Sequence, residues 1–238
     1  MDMNAARISA PWSFGAVTGS KAEDRRATAW SEGQADLCSH MKLAEDSPQT
    51  AEAFFAQAVV LVEGISDRFA LEALARRRGR DLEAEGISIL PIGGAQAIGR
   101  FLDRFGPQGL DVRLAGLCDA AEEGDFQRGL ERAGLGANLG RVDMERLGFY
   151  VCDADLEDEL IRALGTASVE KVVASQGDLG SFRTLQKQPA WQGRTTEEQL
   201  RRFMGSGGRR KIRYARLLVD ALDLTEVPRP LDRVLAHV

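Results

Sequence analysis

The chain has 238 residues, of which 44% are hydrophobic and 28% charged, and its net charge is −5. This length suits one large domain, or one domain with appendages. No apolar run approaches the ~18 residues of a membrane span, and the N-terminus lacks a basic-then-apolar signal pattern. We therefore expect a cytoplasmic protein with no membrane partner. The three cysteines are too scattered for a zinc site or a disulfide framework.

Apolar runs and helical patterns divide the chain into three parts. Residues 1–50 show no sustained hydrophobic period, and we expect a poorly ordered leader there. From residue 52 short apolar runs alternate with helical patterns, which predicts a parallel sheet covered by helices on both faces. We place this α/β core at 52–165 and a basic helical extension packed on it at 166–238. The predicted strands are Ala58–Val62, Ile87–Ile92, Val112–Cys118 and Leu147–Cys152.

Helix boundaries are predicted from caps and apolar spacing. The first helix is expected to run from a cap at Ser66 to about Arg78, and Thr195 with Glu198 has the spacing of a capping box. Prolines 228 and 230 are expected to end regular structure. The other predicted helices are 98–105, 125–133, 156–164, 169–176, 179–187, 195–204 and 209–222.

Three of the predicted strands lead into an acidic residue. Glu63 follows the first strand and opens the stretch Glu-Gly-Ile-Ser-Asp, which ends at Asp67; Asp119 follows the third strand and Asp153 the fourth. In parallel α/β sheets ligands bind at the carboxyl ends of the strands, so we expect these acids to share a cleft. Unpaired charges of one sign in such a cleft are costly unless a cation neutralises them.

A divalent cation bound by carboxylate oxygens removes that cost, and such a donor set suits Mg²⁺ or Mn²⁺. Two ions about 4 Å apart can position a water and stabilise the leaving oxygen of a phosphodiester. We assign Glu63 and Asp67 to one ion. The candidate ligands for a second ion are Asp119, Glu122 and Glu123, and the candidates for bridging the two ions are Glu157 and Asp158.

Each acid also has a structural interpretation. Asp67 can complement a helix N-terminus, Glu122 and Glu123 can form a solvated helix start, and the run 153–159 can be an exposed acidic face. Their joint placement at successive strand ends favours the metal-binding interpretation.

Four stretches together resemble the TOPRIM domain of the overcoming-lysogenization-defect (OLD) nucleases. They are VLVEGISD at 60–67, PIGG at 91–94, LCD at 117–119 and LEDEL at 156–160. The resemblance covers about residues 57–225. It implies a TOPRIM (Rossmann-like) three-layer α/β fold with a short parallel sheet, followed by a C-terminal helical extension, and Mg²⁺-dependent phosphodiester chemistry.

The resemblance also implies roles for individual residues. Glu63 and Asp67 fall on the family's first acidic pair, and Asp119 falls on the first acid of its Asp-x-Asp motif. A later acidic ligand falls on Glu157 or Asp158. Lys211 matches a late lysine thought to stabilise the transition state, although it is also typical of a solvated basic face.

The chain departs from the family pattern in two respects. Ala121 stands where the second acid of Asp-x-Asp is expected, and Glu122 or Glu123 is the candidate replacement. The larger OLD proteins carry an ABC-type ATPase ahead of this domain. No ATP-binding loop is seen in this sequence, so we expect a stand-alone TOPRIM unit. A separate ATPase subunit is then a candidate partner.

Basic residues concentrate late in the chain. From Arg183 to Arg216 there are ten lysines and arginines and only two acids, and nucleic-acid binding follows the local patch rather than the total charge. A solvated helix face balanced by acids elsewhere is the other interpretation. Aromatic residues are sparse there (Trp191, Phe203 and Tyr214), which favours phosphate contacts over base stacking. The residues that we assign to nucleic-acid contact are Arg201, Arg202, Arg209, Arg210 and Arg213.

The leading hypothesis is a Mg²⁺-dependent endonuclease that hydrolyses DNA, with Glu63 and Lys211 as catalytic residues. The alternative is a catalytically degenerate TOPRIM module that binds nucleic acid or a partner ATPase. A third interpretation is a small-molecule phosphotransfer enzyme that uses the same acidic cleft. The sequence leaves open whether RNA replaces DNA as the substrate and whether the protein is a homodimer.

Overall fold

The computed structural model describes residues 53–238, so the predicted leader at 1–50 lies outside the described residues. The strands are β1 (Ala58–Val62), β2 (Ile87–Pro91), β3 (Arg113–Cys118) and β4 (Phe149–Val151). The helices are α1 (Ile65–Arg77), α2 (Ile98–Phe105), α3 (Glu123–Arg132), α4 (Arg141–Arg146), α5 (Leu156–Leu164), α6 (Thr166–Ser175), α7 (Leu179–Gln186), α8 (Thr196–Gly205), α9 (Gly208–Ala221) and α10 (Arg229–His237). Two short 3₁₀ turns lie at Ala95–Ala97 and Ala120–Glu122.

The four strands form one parallel sheet in the order β2-β1-β3-β4. In the centre, Val62 of β1 pairs with Pro91 of β2 and with Leu117 of β3. Every residue of β1 is buried, as expected for a strand covered on both faces. This shared register brings the residues that follow β1 and β3, Glu63 and Asp119, to the same edge of the sheet.

Alternate residues of β1 enter hydrophobic clusters on opposite faces of the sheet. Val60 and Val62 belong to a cluster with residues of α1, α9 and α10, whereas Val59 and Leu61 belong to one with residues of α2 and α3. The predicted three-layer α/β architecture is therefore confirmed.

The fourth strand is shorter than the predicted Leu147–Cys152. Helix α4, which the sequence did not predict, ends at Arg146 with Leu147 as its C-cap, so the strand begins only at Phe149. At its centre β3 carries Gly116, where an added Cβ would lie 2.5 Å from Cδ1 of Phe149. The close approach of the two strands thus depends on this glycine.

The C-terminal prolines begin a helix, and the prediction that they end regular structure was wrong. Pro228 is the N-cap of α10, and Pro230 lies in its first turn. Proline is tolerated there because the amides of the first turn have no intrahelical acceptor to lose. Leu231, Val234 and Leu235 then bury the helix in the core.

All the described residues belong to one compact unit. One hydrophobic cluster includes Leu71 and Leu74 of α1 together with Tyr214 and Leu218 of α9, so the late helices share the core of the sheet. The boundary at residue 165 stays a prediction. Within residues 53–238, no helix is both long and apolar enough to cross a bilayer.

Candidate metal centre

Three carboxylates converge at the carboxyl edge of the sheet. Glu63 follows β1, Asp119 follows β3, and Glu122 ends the 3₁₀ turn after β3. One oxygen of each lies within 4.8 Å of the other two. Among the residues that the structure describes, this group, the acidic trio, is the one set of potential ligands that meets so closely.

Buried oxygens without partners show that the acidic trio fits a cation. Oε2 of Glu63 and Oε2 of Glu122 are buried and make no hydrogen bond, and the same is true of Oε1 of Glu157. Leaving such atoms unpaired is costly, and a bound cation removes the cost. An all-carboxylate donor set suits a hard divalent ion such as Mg²⁺ or Mn²⁺.

Burial raises the pKa of two members of the acidic trio, Asp119 and Glu63. It raises the pKa of Asp119 to about 8, and the nearby Asp67 and Glu63 add to the rise. Burial, followed by the charges of Glu122 and Asp67, also raises the pKa of Glu63. Asp119 of the metal-free site therefore retains its proton near neutral pH, and a cation must displace it.

The backbone of Glu63 is fixed from the neighbouring strand. The amides of Gly93 and Gly94, which follow β2, donate to the carbonyl oxygen of Glu63 at 3.2 and 3.3 Å. Gly94 adopts a φ of 111°, which side-chain-bearing residues rarely adopt. The PIGG stretch thus positions Glu63 from the β2 side.

Asp67 closes the turn between β1 and α1. Its Oδ2 accepts the amide of Gly64 at 2.8 Å, and Gly64 is the N-cap of α1. The predicted cap at Ser66 was wrong. The N-cap lies two residues before Ser66, at Gly64, because the Asp67 carboxylate at the third helical position accepts the amide of Gly64. Asp67 is buried, and burial raises its pKa. Its charge acts on Glu63 and Asp119, but Asp67 is not a member of the acidic trio.

Glu157 and Lys211 form an ion pair beside the acidic trio. Nζ of Lys211, in the first turn of α9, lies 3.4 Å from Oε2 of Glu157, in the first turn of α5. Burial raises the pKa of Glu157 to about 7, although Lys211 opposes the rise. Burial lowers the pKa of Lys211, but the carboxylates of Glu157, Asp67 and Asp119 outweigh it and the net change is upward. Lys211 is therefore a cation that faces the acidic residues.

The structure separates Glu122 from Glu123, which the sequence left as alternatives for the acid absent at Ala121. Glu122 lies in the acidic trio. Glu123 instead begins α3 and accepts hydrogen bonds from Arg141, with Nη2 to Oε2 at 2.6 Å. Glu122, the residue after Ala121, thus supplies a carboxylate where position 121 lacks one.

Two other acids of the predicted cleft pair with Arg162 outside the acidic trio. Oδ2 of Asp158 lies 2.8 Å from Nε of Arg162 on the same helix. Asp153 is 69% exposed and lies 3.2 Å from Nη2 of Arg162. Among the described residues, neither belongs to a group of three potential ligands.

Asp155 is a residue that we did not select from the sequence. Its Oδ1 accepts the amide of Asp158 at 2.8 Å and caps α5, and its Oδ2 lies 2.6 Å from Nε of Arg201. Its charge also raises the pKa of Asp119 and Glu157. The Asp-x-x-Asp spacing at 155–158 was the available signal for this cap.

The five arginines assigned to nucleic acid lie in two groups. Arg201 and Arg202 border a groove with Asp155 and Trp191. The other three line a second groove, of about 580 Å³, at the start of α9: Arg209, Arg210 and Arg213. Arg213 pairs with Asp178, and Arg210 donates to Oγ of Ser206 at 2.7 Å.

The family model described as "Overcoming lysogenization defect protein-like, TOPRIM domain" matches residues 54–120. These residues contain β1 to β3, together with Glu63, Asp67 and Asp119. Residues 54–120 form an OLD-like TOPRIM domain. The OLD-like TOPRIM domain thus supplies two of the three carboxylates of the acidic trio, and Glu122 is the second residue beyond its end.

Solved structures extend the likeness beyond the OLD-like TOPRIM domain. The C-terminal region of the Xanthomonas campestris pv. campestris OLD protein, in the structure phased with platinum, is 25% identical with a TM-score of 0.62, over 79% of this chain and 94% of that one. The C-terminal region of the Burkholderia pseudomallei OLD protein is 23% identical with a TM-score of 0.60, over 77% of this chain and 97% of that one. No curated protein matches the chain significantly.

Proposed function

We propose that the protein is a Mg²⁺- or Mn²⁺-dependent endonuclease that hydrolyses phosphodiester bonds of DNA. The observation that carries the proposal is the convergence of Glu63, Asp119 and Glu122 within 4.8 Å at the carboxyl edge of an OLD-like TOPRIM sheet. Lys211, half-buried and paired with the buried Glu157, places a positive charge at the same edge.

The chain's residues then have distinct tasks. The acidic trio would hold one divalent ion, and the unpaired Oε1 of Glu157 supports a second ion nearby. When bound, such ions supply Lewis-acid activation of the phosphodiester and of the attacking water. Glu63 is the ligand that also serves as general acid or base. Lys211 presents its ammonium to the negative charge that develops on the phosphate.

The arginine groups bind the nucleic-acid backbone in this proposal. Arg201 and Arg213 pair with Asp155 and Asp178, whereas Arg202 and Arg209 make no ion pair among the described residues, so these two are the better placed to meet phosphates. Because each phosphate contact releases counter-ions, binding should weaken steeply as salt increases. A separate ATPase subunit is a further part of this proposal that the resemblance supports.

One observation favours a second candidate function. Ala121 removes an acid from the Asp-x-Asp motif, and a TOPRIM domain that loses ligands becomes a metal-stabilised module that binds DNA or a partner ATPase without cleaving. The position of Glu122 in the acidic trio is what makes us prefer the nuclease.

Incubation of purified protein with supercoiled plasmid and Mg²⁺ or Mn²⁺ separates the two functions. The nuclease predicts nicking that EDTA, Glu63→Gln and Asp119→Asn each abolish. Glu123→Gln is the matched control, because Glu123 pairs with Arg141 away from the acidic trio, and it should nick normally. Plasmid binding without nicking at any metal concentration would support the binding module instead.

A further inference from the structure

A groove of about 420 Å³ opens beside the metal centre. It is lined by one aromatic ring, three arginines, two acids and a glycine: Trp191, Arg194, Arg201, Arg202, Asp155, Glu198 and Gly205. The volume falls within the range of sites that bind small molecules or single nucleotides. We call it the Trp191 groove.

The backbone that carries this indole is fixed by two hydrogen bonds. The buried side chain of Gln199 donates to the carbonyl oxygen of Trp191 at 2.8 Å, and the amide of Trp191 donates to the carbonyl oxygen of Gln188 at 2.8 Å. Trp191 remains partly exposed, whereas Phe203 and Tyr214 are buried. Of the three aromatic residues in the basic region, Trp191 is thus the one placed to stack on a ligand.

The charges around the indole suit a nucleotide. The guanidinium of Arg202 lies over one face of the Trp191 ring, 6.0 Å from its centre, and Arg202 has no carboxylate partner among the described residues. Arg201 pairs with Asp155, and Arg194 lies 3.3 Å from Oε1 of the exposed Glu198. Three guanidiniums against two carboxylates leave positive charge for a phosphate, next to an aromatic face for a base.

Asp155 connects the Trp191 groove to the metal centre. This carboxylate forms part of the groove wall and also caps α5, whose first turn carries Glu157. Its charge acts on both Asp119 and Glu157. A strand bound at the acidic trio therefore has a basic, aromatic groove within reach.

We propose that the Trp191 groove binds an unpaired base of the nucleic-acid substrate, stacked on Trp191, with the flanking phosphate held by Arg202. The proposal rests on the proposed nuclease function and names its substrate class: nucleic acid with a single-stranded segment next to the bond that is cut. A base within a duplex is already stacked on both faces, so it does not reach the indole.

The test measures binding without cleavage. Fluorescence anisotropy in EDTA compares a labelled single strand of about 12 nucleotides, within the usual site size of single-strand binders, with the blunt duplex of the same sequence. Trp191→Ala should weaken single-strand binding by roughly 10-fold or more, as expected for the loss of one stacked base, and should affect duplex binding less. Trp191→Phe should restore most of the single-strand affinity. A ribose strand run in parallel distinguishes RNA from DNA as the source of the base.

Two controls complete the design. Phe55→Ala removes another exposed aromatic ring, which lies outside the groove, and should leave the single-strand affinity unchanged. Thermal unfolding shows whether Trp191→Ala is folded; if it is not, Arg202→Gln, which should also weaken single-strand binding, takes its place. Equal loss for single strand and duplex, or no loss, would overturn the proposal. Failure of the base-binding proposal can be told apart from failure of the nuclease function. Only the nuclease function requires metal-dependent nicking by the unaltered protein.

Discussion

Lys211 and Glu157 meet across the start of two helices, with Nζ of Lys211 3.4 Å from Oε2 of Glu157. One end of this pair is buried and the other is not: the Glu157 side chain is 6% exposed, whereas that of Lys211 is 37% exposed. The second oxygen of Glu157 has no partner. The ammonium of Lys211, from the late helix α9, therefore lies beside the acidic residues that follow the strands.

Removal of the Lys211 ammonium should slow DNA cleavage more than it weakens DNA binding. For Lys211→Gln we expect cleavage to fall by roughly 100-fold, because a group that stabilises the transition state is lost. DNA affinity should change by less than about threefold, since one of many cationic contacts disappears. Cleavage and anisotropy assays measure the two effects. Lys171→Gln, on the exposed part of α6, is the matched control, and an equal effect of both variants would contradict the assigned role.

Substitution of the adjacent residues Glu122 and Glu123, one at a time, tests which of them binds the metal. Glu122→Gln removes a member of the acidic trio, so we expect Mn²⁺ affinity measured by calorimetry to fall by at least about 10-fold. Glu123→Gln breaks only the pair with Arg141 and should leave Mn²⁺ affinity within about twofold of the unaltered protein. The reverse order would show that Glu123 replaces the acid absent at Ala121.

The metal-free protein should lose stability as the pH rises. Asp119 has a folded-state pKa of about 8 against an ordinary value of 3.8, so the folded chain binds more protons than the unfolded chain between these values. The free energy of unfolding must then fall as pH increases through this window. Asp119→Asn should remove much of the slope and stabilise the protein at pH 8 by about 1–2 kcal/mol, after allowance for solvent screening. Urea unfolding in EDTA at several pH values measures both quantities, and a slope that is the same in the variant would refute the prediction.

Gly116 is expected to be essential for the packing of β3 against β4. In Gly116→Ala the new Cβ would lie 2.5 Å from Cδ1 of Phe149, and we expect a loss of about 1–3 kcal/mol from overpacking. Phe149→Leu should recover part of this loss when combined with Gly116→Ala, because it removes the ring that collides. Purely additive losses in chemical denaturation would show that the collision is not the cause.

The sheet and its acidic edge were predictable because they depend on short-range patterns. Buried apolar runs define β1 and β3, and parallel strands place their following residues at one edge, which brings Glu63 and Asp119 together. Alternation of strands and helices also predicted the three layers. These inferences need no knowledge of which side chains meet across the molecule.

The partners of individual acids depend on distant residues and were not predictable. Glu122 and Glu123 are equivalent in the sequence, and the position of Arg141 on α4 determines which of them is taken up in an ion pair. Asp153 and Asp158 are both paired with Arg162, one helix turn away from the latter. The prolines before α10 were misinterpreted for a different reason, because proline is equally compatible with the end of one element and the start of the next.

The central claim is that Glu63, Asp119 and Glu122 together hold a divalent cation. Crystals grown with Mn²⁺ and measured for anomalous scattering test it directly, because the signal locates the metal independently of activity. We predict an anomalous peak at coordination distance from a carboxylate oxygen of all three residues, about 2.0–2.2 Å away, as for Mg²⁺ and related ions. No peak at the acidic trio, or a peak on other residues alone, would contradict the account.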